Sequence, residues 1–367
     1  MRPPIREICD HPFVATDRPR RRAYSGTPLP DRPSRQKPDR DPESDRPIFS
    51  PMGHAKPVGS SVRAAVGVSL KIQRFDRSPS APAMSSPTAT LLINCPDQRG
   101  LVAKIASFID ANGGNILHAD QHQDPTANLF LSRVEWQLDG FNLPRDLINP
   151  AFGAIAKPLG ATWQLHFSDE IPRMAIWVSR QDHCLLDLLW RNKAGEIPAN
   201  IVLIISNHPD LAPIAQQFGI DYHHVPISKD TKAEAEATQL ALLDRYQIDL
   251  VVLAKYMQIL TPGFVSAFPN AINIHHSFLP AFPGANPYQR AHDRGVKVIG
   301  ATAHYVTQDL DEGPIIEQDV SRVSHRDTVE DLIRKGKDLE RVVLARAVRL
   351  HLQHRVLVYG NRTVVFE

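Results

Sequence analysis

Cysteine is scarce: Cys9, Cys95 and Cys184 lie far apart in a chain of 367 residues, with no C-x-x-C pair. That spacing excludes a disulfide framework and a thiolate zinc site, and it fits a reducing, cytoplasmic compartment. No run of about 18 apolar residues occurs, so no membrane-spanning helix is expected. The N-terminus lacks a secretory apolar core. His-Glu-x-x-His is missing, and so is the Gly-x-Ser-x-Gly elbow of a serine hydrolase. Metal is therefore not expected. Net charge is only +2, which makes no global case for nucleic acid.

What is present is 42% apolar and 22% charged residues, the balance of a globular chain with material for two or three domains. The average hides a split. Residues 1–83 hold 16 Lys/Arg against 9 Asp/Glu and 14 of the 31 prolines, while the remainder is net acidic. Runs such as 18–22 (RPRRR) and 38–42 (PDRDP) have no hydrophobic period. Such a segment buries too little apolar surface to offset its ordering entropy. Residues 1–84 are read as a disordered extension that is not part of the natural protein, with Met84 as the natural start. Nine acidic residues also argue against a mitochondrial presequence.

Residues 85–168 read as a small α/β module. A strand at 89–95 (ATLLINC) is followed by a turn at 96–100 (PDQRG), where Asp97 is expected to cap a helix. Leu101, Ile105, Phe108 and Ile109 recur at helical spacing, and 112–115 (NGGN) ends that helix. Strands at 116–123 and 129–138 flank a turn, a helix spans 144–156, and a last strand spans 161–167. The order βαββαβ is ferredoxin-like.

From 172 to 367 strands and helices alternate, which predicts a mostly parallel, Rossmann-like sheet with helices on both faces. Ligands of such sheets bind beyond the carboxyl ends of the strands. Asn273 and His275 end one strand, and a spacing of two puts both on one face. An amide beside an imidazole suits carbonyl chemistry, as oxyanion donor and proton carrier. His304 lies on a later strand and Asp311 in a loop, where a carboxylate orients an imidazole. Taken singly, a histidine on a strand is more often structural than catalytic, and Asp-Glu-Gly in a loop is usually a turn.

Their combined order is more specific. Residues 95–102 (CPDQRGLV) with 113–115 (GGN) resemble an ACT domain, a regulatory module that pairs side by side and often binds amino acids. Residues 273–280 (NIHHSFLP), 300–304 (GATAH) and 311–314 (DEGP) resemble the folate-dependent formyltransferase family. Together with 182–189 (DHCLLDLL), 252–257 (VLAKYM) and 358–362 (VYGNR), residues 85–367 resemble the formyltetrahydrofolate deformylases over about three quarters of the chain. The resemblance implies an α/β fold, with an ACT domain at 85–168 and a formyltransferase-type catalytic domain at 172–367.

It implies Asn273, His275 and Asp311 as the catalytic triplet. Met257, Gln258, Ile259 and Leu260, with His304 and Gly313, would bind substrate. Asp97, Gly100, Leu101, Gly114 and Asn115 would hold an effector. The implied reaction is hydrolysis of 10-formyltetrahydrofolate to formate and tetrahydrofolate. Folate is then the substrate and no cofactor is needed. ACT pairing implies a homo-oligomer. Gln258 and Asn286 depart from the family's pattern, which has Arg at both positions.

Two other readings stay open, a formyltransferase with an amine acceptor and an amino-acid sensor with a decayed site. Residues 179–184 (SRQDHC) contain no glycine to cradle a phosphorylated amine, and Asp182 repels phosphate, which favours water.

Overall fold

A computed structural model describes residues 86–280 and 287–367. The expectations for residues 1–84, for Met84 as a start and for Asn286 lie outside the described residues.

The first folded part contains β1 (Thr88–Pro96), α1 (Leu101–Ala111), β2 (Ile116–Asp124), β3 (Leu129–Gln137), α2 (Arg145–Ala156) and β4 (Thr162–Phe167). The strands form one antiparallel sheet in the order β2-β3-β1-β4. Leu101, Ile105, Phe108 and Ile109 of α1 pack with Leu91, Ile93, Val134 and Trp136. β1 is apolar on both faces because both are covered. Leu92 and Leu131 meet Leu357 and Phe366 from the C-terminal tail.

The expected cap at Asp97 is not made. Gly100 occupies the N-cap at φ +83°, a left-handed conformation that glycine adopts without strain, and no side chain caps the helix. The Asp97 carboxylate instead accepts a hydrogen bond from the Gln123 side chain.

The second part runs β5 (Arg173–Val178), α3 (His183–Lys193), β6 (Asn200–Ser206), α4 (Ala212–Phe218), β7 (Asp221–His224), α5 (Lys232–Arg245), β8 (Leu250–Leu253), α6 (Pro262–Ala267) and β9 (Ala271–His275). It continues with α7 (Pro287–Arg294), β10 (Val298–Tyr305), β11 (Ile315–Arg322), α8 (Val329–Leu352), β12 (Val356–Tyr359) and β13 (Arg362–Val365). Its main sheet has seven strands in the order β11-β10-β9-β8-β5-β6-β7. Strands β5 to β9 are parallel, and β10 runs antiparallel to both β9 and β11. Two apolar layers cover the faces, one around Ile176, Val252 and α8, the other around Trp177, Leu253 and Phe264.

The strand order reverses between β5 and β8. The carboxyl ends of β5, β8 and β9 therefore open a crevice of the kind that holds ligands in open α/β sheets. β12 and β13 form a hairpin of their own. That hairpin is the tail that covers the first sheet. No helix among the described residues is long and apolar enough to cross a membrane.

Candidate active site

Period two on β9 puts Asn273 and His275 on one face, and the register of β10 completes the group. His304 stands directly opposite Asn273 and Thr302 opposite His275. The pairing of β10 with β11 shifts between Ala303 and His304, an irregularity of the kind that re-aims side chains near sites. Thr302 fixes the chain that leaves β9: its hydroxyl donates to the Ser277 carbonyl at 2.8 Å and accepts from the Leu279 N–H at 3.0 Å.

His304 is 2% exposed, and burial lowers its pKa, against the opposing pull of the Tyr305 carbonyl and Asp311. A neutral ring donates from Nδ1 to the Tyr305 carbonyl at 2.8 Å. Nε2 is then an acceptor, and the Asn273 amide Nδ2 lies 3.2 Å from it. This contact sets which way the amide points, so His304 orients Asn273.

Asp311 reaches the group from the loop before β11, at φ +58°. Its Oδ1 is 3.2 Å from His275 Nδ1 and 3.8 Å from His304 Nε2. Burial pushes the carboxyl up, but the hydrogen bond and charge of His275, with His304 and His276, outweigh it and hold Asp311 below the usual carboxylate range. With Nδ1 committed to Asp311, His275 presents Nε2, which is buried and has no hydrogen-bond partner among the described residues.

Asn273, His275, His304 and Asp311 line one cavity of about 290 Å³. Met257, Gln258, Ile259 and Leu260 line it as well, and Met257 and Ile259 are 59% and 57% exposed at its mouth. The sequence-derived triplet and substrate loop thus meet in one place. Gly313 does not line the cavity. A Cβ there would lie 1.8 Å from the Tyr305 carbonyl oxygen, so this glycine lets the Asp311 loop lie against β10.

The residues expected to hold an effector divide. Asp97, Gly100 and Leu101 line a second cavity of about 430 Å³ at the start of α1. Gly114 and Asn115 follow the other end of that helix, about 16 Å away at 1.5 Å per residue. Gly114 packs against Ile109 and Phe141, and the Asn115 amide donates to Gln137 at 3.2 Å. The structure does not bring these two groups together within one chain.

The sequence reading missed a polar cluster beside the triplet. Lys255 Nζ lies 3.2 Å from Glu340 Oε1, His183 Nε2 lies 2.7 Å from Glu340 Oε2, and the Tyr288 hydroxyl donates to Glu340 Oε1 at 2.8 Å. It also missed Ser179, whose hydroxyl donates to Asn207 at 2.7 Å and accepts from the Met257 N–H at 2.9 Å, tying the segment at Met257 to the end of β5. Glu340 had a readable signal, since it falls on the same stripe of α8 as Leu332, Gly336, Val343 and Ala347. His183, Cys184 and Glu340 are close enough to suggest a metal. They do not fit one, because Lys255 already pairs Glu340 and burial pushes the Cys184 thiol up, away from thiolate.

Comparison with known proteins agrees with the geometry. Residues 89–147 match the ACT domain model and residues 172–348 the formyl transferase model. The formyltetrahydrofolate deformylase of Synechocystis sp. is 70% identical over 283 residues, covering 77% of this chain and 100% of that protein. The crystal structure of a formyltetrahydrofolate deformylase from Pseudomonas syringae pv. tomato is 45% identical with a TM-score of 0.76, covering 78% of this chain and 96% of that one. A glycinamide ribonucleotide transformylase from Symbiobacterium toebii, at 34% identity and a TM-score of 0.52, covers 56% of this chain and 98% of its own. With its ACT domain, its formyl transferase domain and a 70% identical relative matched over its full length, the chain belongs to the formyltetrahydrofolate deformylase family.

Proposed function

We propose that this protein hydrolyses 10-formyltetrahydrofolate to formate and tetrahydrofolate, with Asn273, His275 and Asp311 carrying the chemistry. The observation behind this reading is the commitment of His275: Nδ1 faces Asp311, while the buried Nε2 has no partner among the described residues and belongs to a side chain lining the cavity. The folate ring enters along Met257–Leu260, where backbone groups and apolar side chains line the mouth.

Water attacks the formyl carbon. As the carbonyl becomes an oxyanion, the Asn273 amide and the protonated Nε2 of His275 donate to it. Asp311 holds the imidazolium and orients the water. The C–N10 bond breaks as His275 gives its proton to N10. Asp311 accepts the proton released by water and passes it to solvent, and His275 Nε2 regains a proton from solvent for the next turnover. Asp311 keeps that proton only in transit, which suits a carboxyl held below its ordinary range.

The ACT domain takes a small amino acid, and its carboxylate is met by the N–H groups of the turn at Gly100 and Leu101 that line the second cavity. Association of two chains through this domain makes the enzyme an oligomer. The site works in the cytoplasm.

The test is formate release from 10-formyltetrahydrofolate without any amine, for wild type and Asp311→Ala. Release by wild type, with a loss of roughly 100-fold or more in the variant, is expected. Release only after an amine is added would make the protein a transferase instead.

A further inference from the structure

The hydrolytic scheme leaves Lys255 unused. This residue follows β8 with φ +64°, in the left-handed region. A side chain there is strained, whereas glycine sits without strain. Strain of this kind gathers at functional sites. The side chain does not run out to solvent. Lys255 is 6% exposed, and its ammonium is held by Glu340, itself 1% exposed on α8. Glu340 is held in turn by His183 from α3 and Tyr288 from α7. Gly336 on α8 makes room for this arrangement, because a Cβ there would stand 2.0 Å from the Tyr288 hydroxyl.

The cluster borders the reaction. Lys255 lines the same cavity as Asn273, His275 and His276. His276 stacks on His275 with ring centroids 4.7 Å apart, and the Tyr288 ring lies 6.4 Å from His276. A nucleophile larger than water must find room beside His275 to reach the formyl carbon. A buried lysine side chain held by its counter-ion fills space along that cavity, which leaves room for water and not for a larger nucleophile.

We propose that Lys255, pinned by Glu340, is a specificity-determining wall that keeps amines from the formyl carbon and leaves water as the nucleophile. This rests on the assignment of Asn273, His275 and Asp311 to the reaction. In the reaction that Lys255 excludes, the amine nitrogen bonds the formyl carbon, the C–N10 bond breaks and the amine proton goes to N10.

The experiment supplies hydroxylamine, a small amine that is neutral near pH 7.5, with 10-formyltetrahydrofolate. Formate and N-formylhydroxylamine are measured against an enzyme-free blank. Wild type yields formate alone. Lys255→Gly, which relaxes the backbone and opens the wall, raises the ratio of N-formyl product to formate by about tenfold or more. Lys255→Asn, also tolerant of the left-handed backbone, serves if the glycine variant fails to fold. A merely structural role would lower both products together and leave the ratio alone. An unchanged ratio in a folded variant that still releases formate overturns the proposal. Absence of formate from wild type overturns instead the assignment of the triplet.

Discussion

At the residue scale, the candidate site depends on which groups are already committed. The Asn273 amide is turned by His304, so the two are not equivalent in effect. Asn273→Ala removes the proposed donor to the oxyanion, and kcat is expected to fall roughly 100- to 1,000-fold. His304→Ala leaves the donor but frees its orientation, for a smaller loss of about tenfold. Steady-state kinetics on both variants checks the order, and equal losses would contradict the orienting role. Asn273 and His275 were legible in the sequence because period two on a strand needs no tertiary information. The role of His304 was not, because it depends on the register that sets it opposite Asn273. Gly313 was read as a substrate contact, but its reason is the Tyr305 carbonyl behind it, a neighbour no local pattern discloses.

At the element scale, α8 carries a test that runs against helix propensity. Gly→Ala inside a helix normally stabilises by about 1 kcal/mol. At Gly336 the new methyl would stand 2.0 Å from the Tyr288 hydroxyl and displace it from Glu340. Gly336→Ala is therefore expected to lower the melting temperature despite the better helix former. A stabilised variant would show that Tyr288 is free to move. The start of α8 follows the ordinary rule, since Thr328 and Asp331 form a capping box. Thr328→Ala should cost about 1 kcal/mol by denaturant titration. The long elements were legible from periodicity and caps. Some short ones were not, although α6 carries Thr261 as cap and Pro262 at its first position, a readable pair of signals. Gly360 and Asn361 likewise mark the turn of the β12–β13 hairpin, which was quoted only as a motif.

At the scale of the whole molecule, the two folded parts are joined through groups that titrate. Arg133 of β3 donates from Nε to the His354 carbonyl at 3.0 Å, and the His354 ring stacks on His166 of β4 with centroids 3.7 Å apart. His351, one turn earlier, lies 2.8 Å from the Tyr305 hydroxyl through Nδ1. Burial, followed by the charge of His166, depresses His351 to about 4. The same causes in the same order, joined by the charges of His351 and Arg133, depress His354 to about 3. Burial lowers His166 as well. In the unfolded chain such imidazoles take up protons near pH 6.5. Between that pH and the folded values the unfolded state binds more protons, so stability falls as pH falls. Each group contributes at most about 1.4 kcal/mol per pH unit. Glu340, held at about 2, and Asp311, held below its ordinary value, act in the same direction but only under more acid conditions, because their contributions are intact above the unfolded carboxylate range. The melting temperature should therefore drop steadily from pH 7.5 to 5. His354→Gln removes a titrating ring from the junction and should flatten that slope, and an unchanged slope would place the pH sensitivity elsewhere.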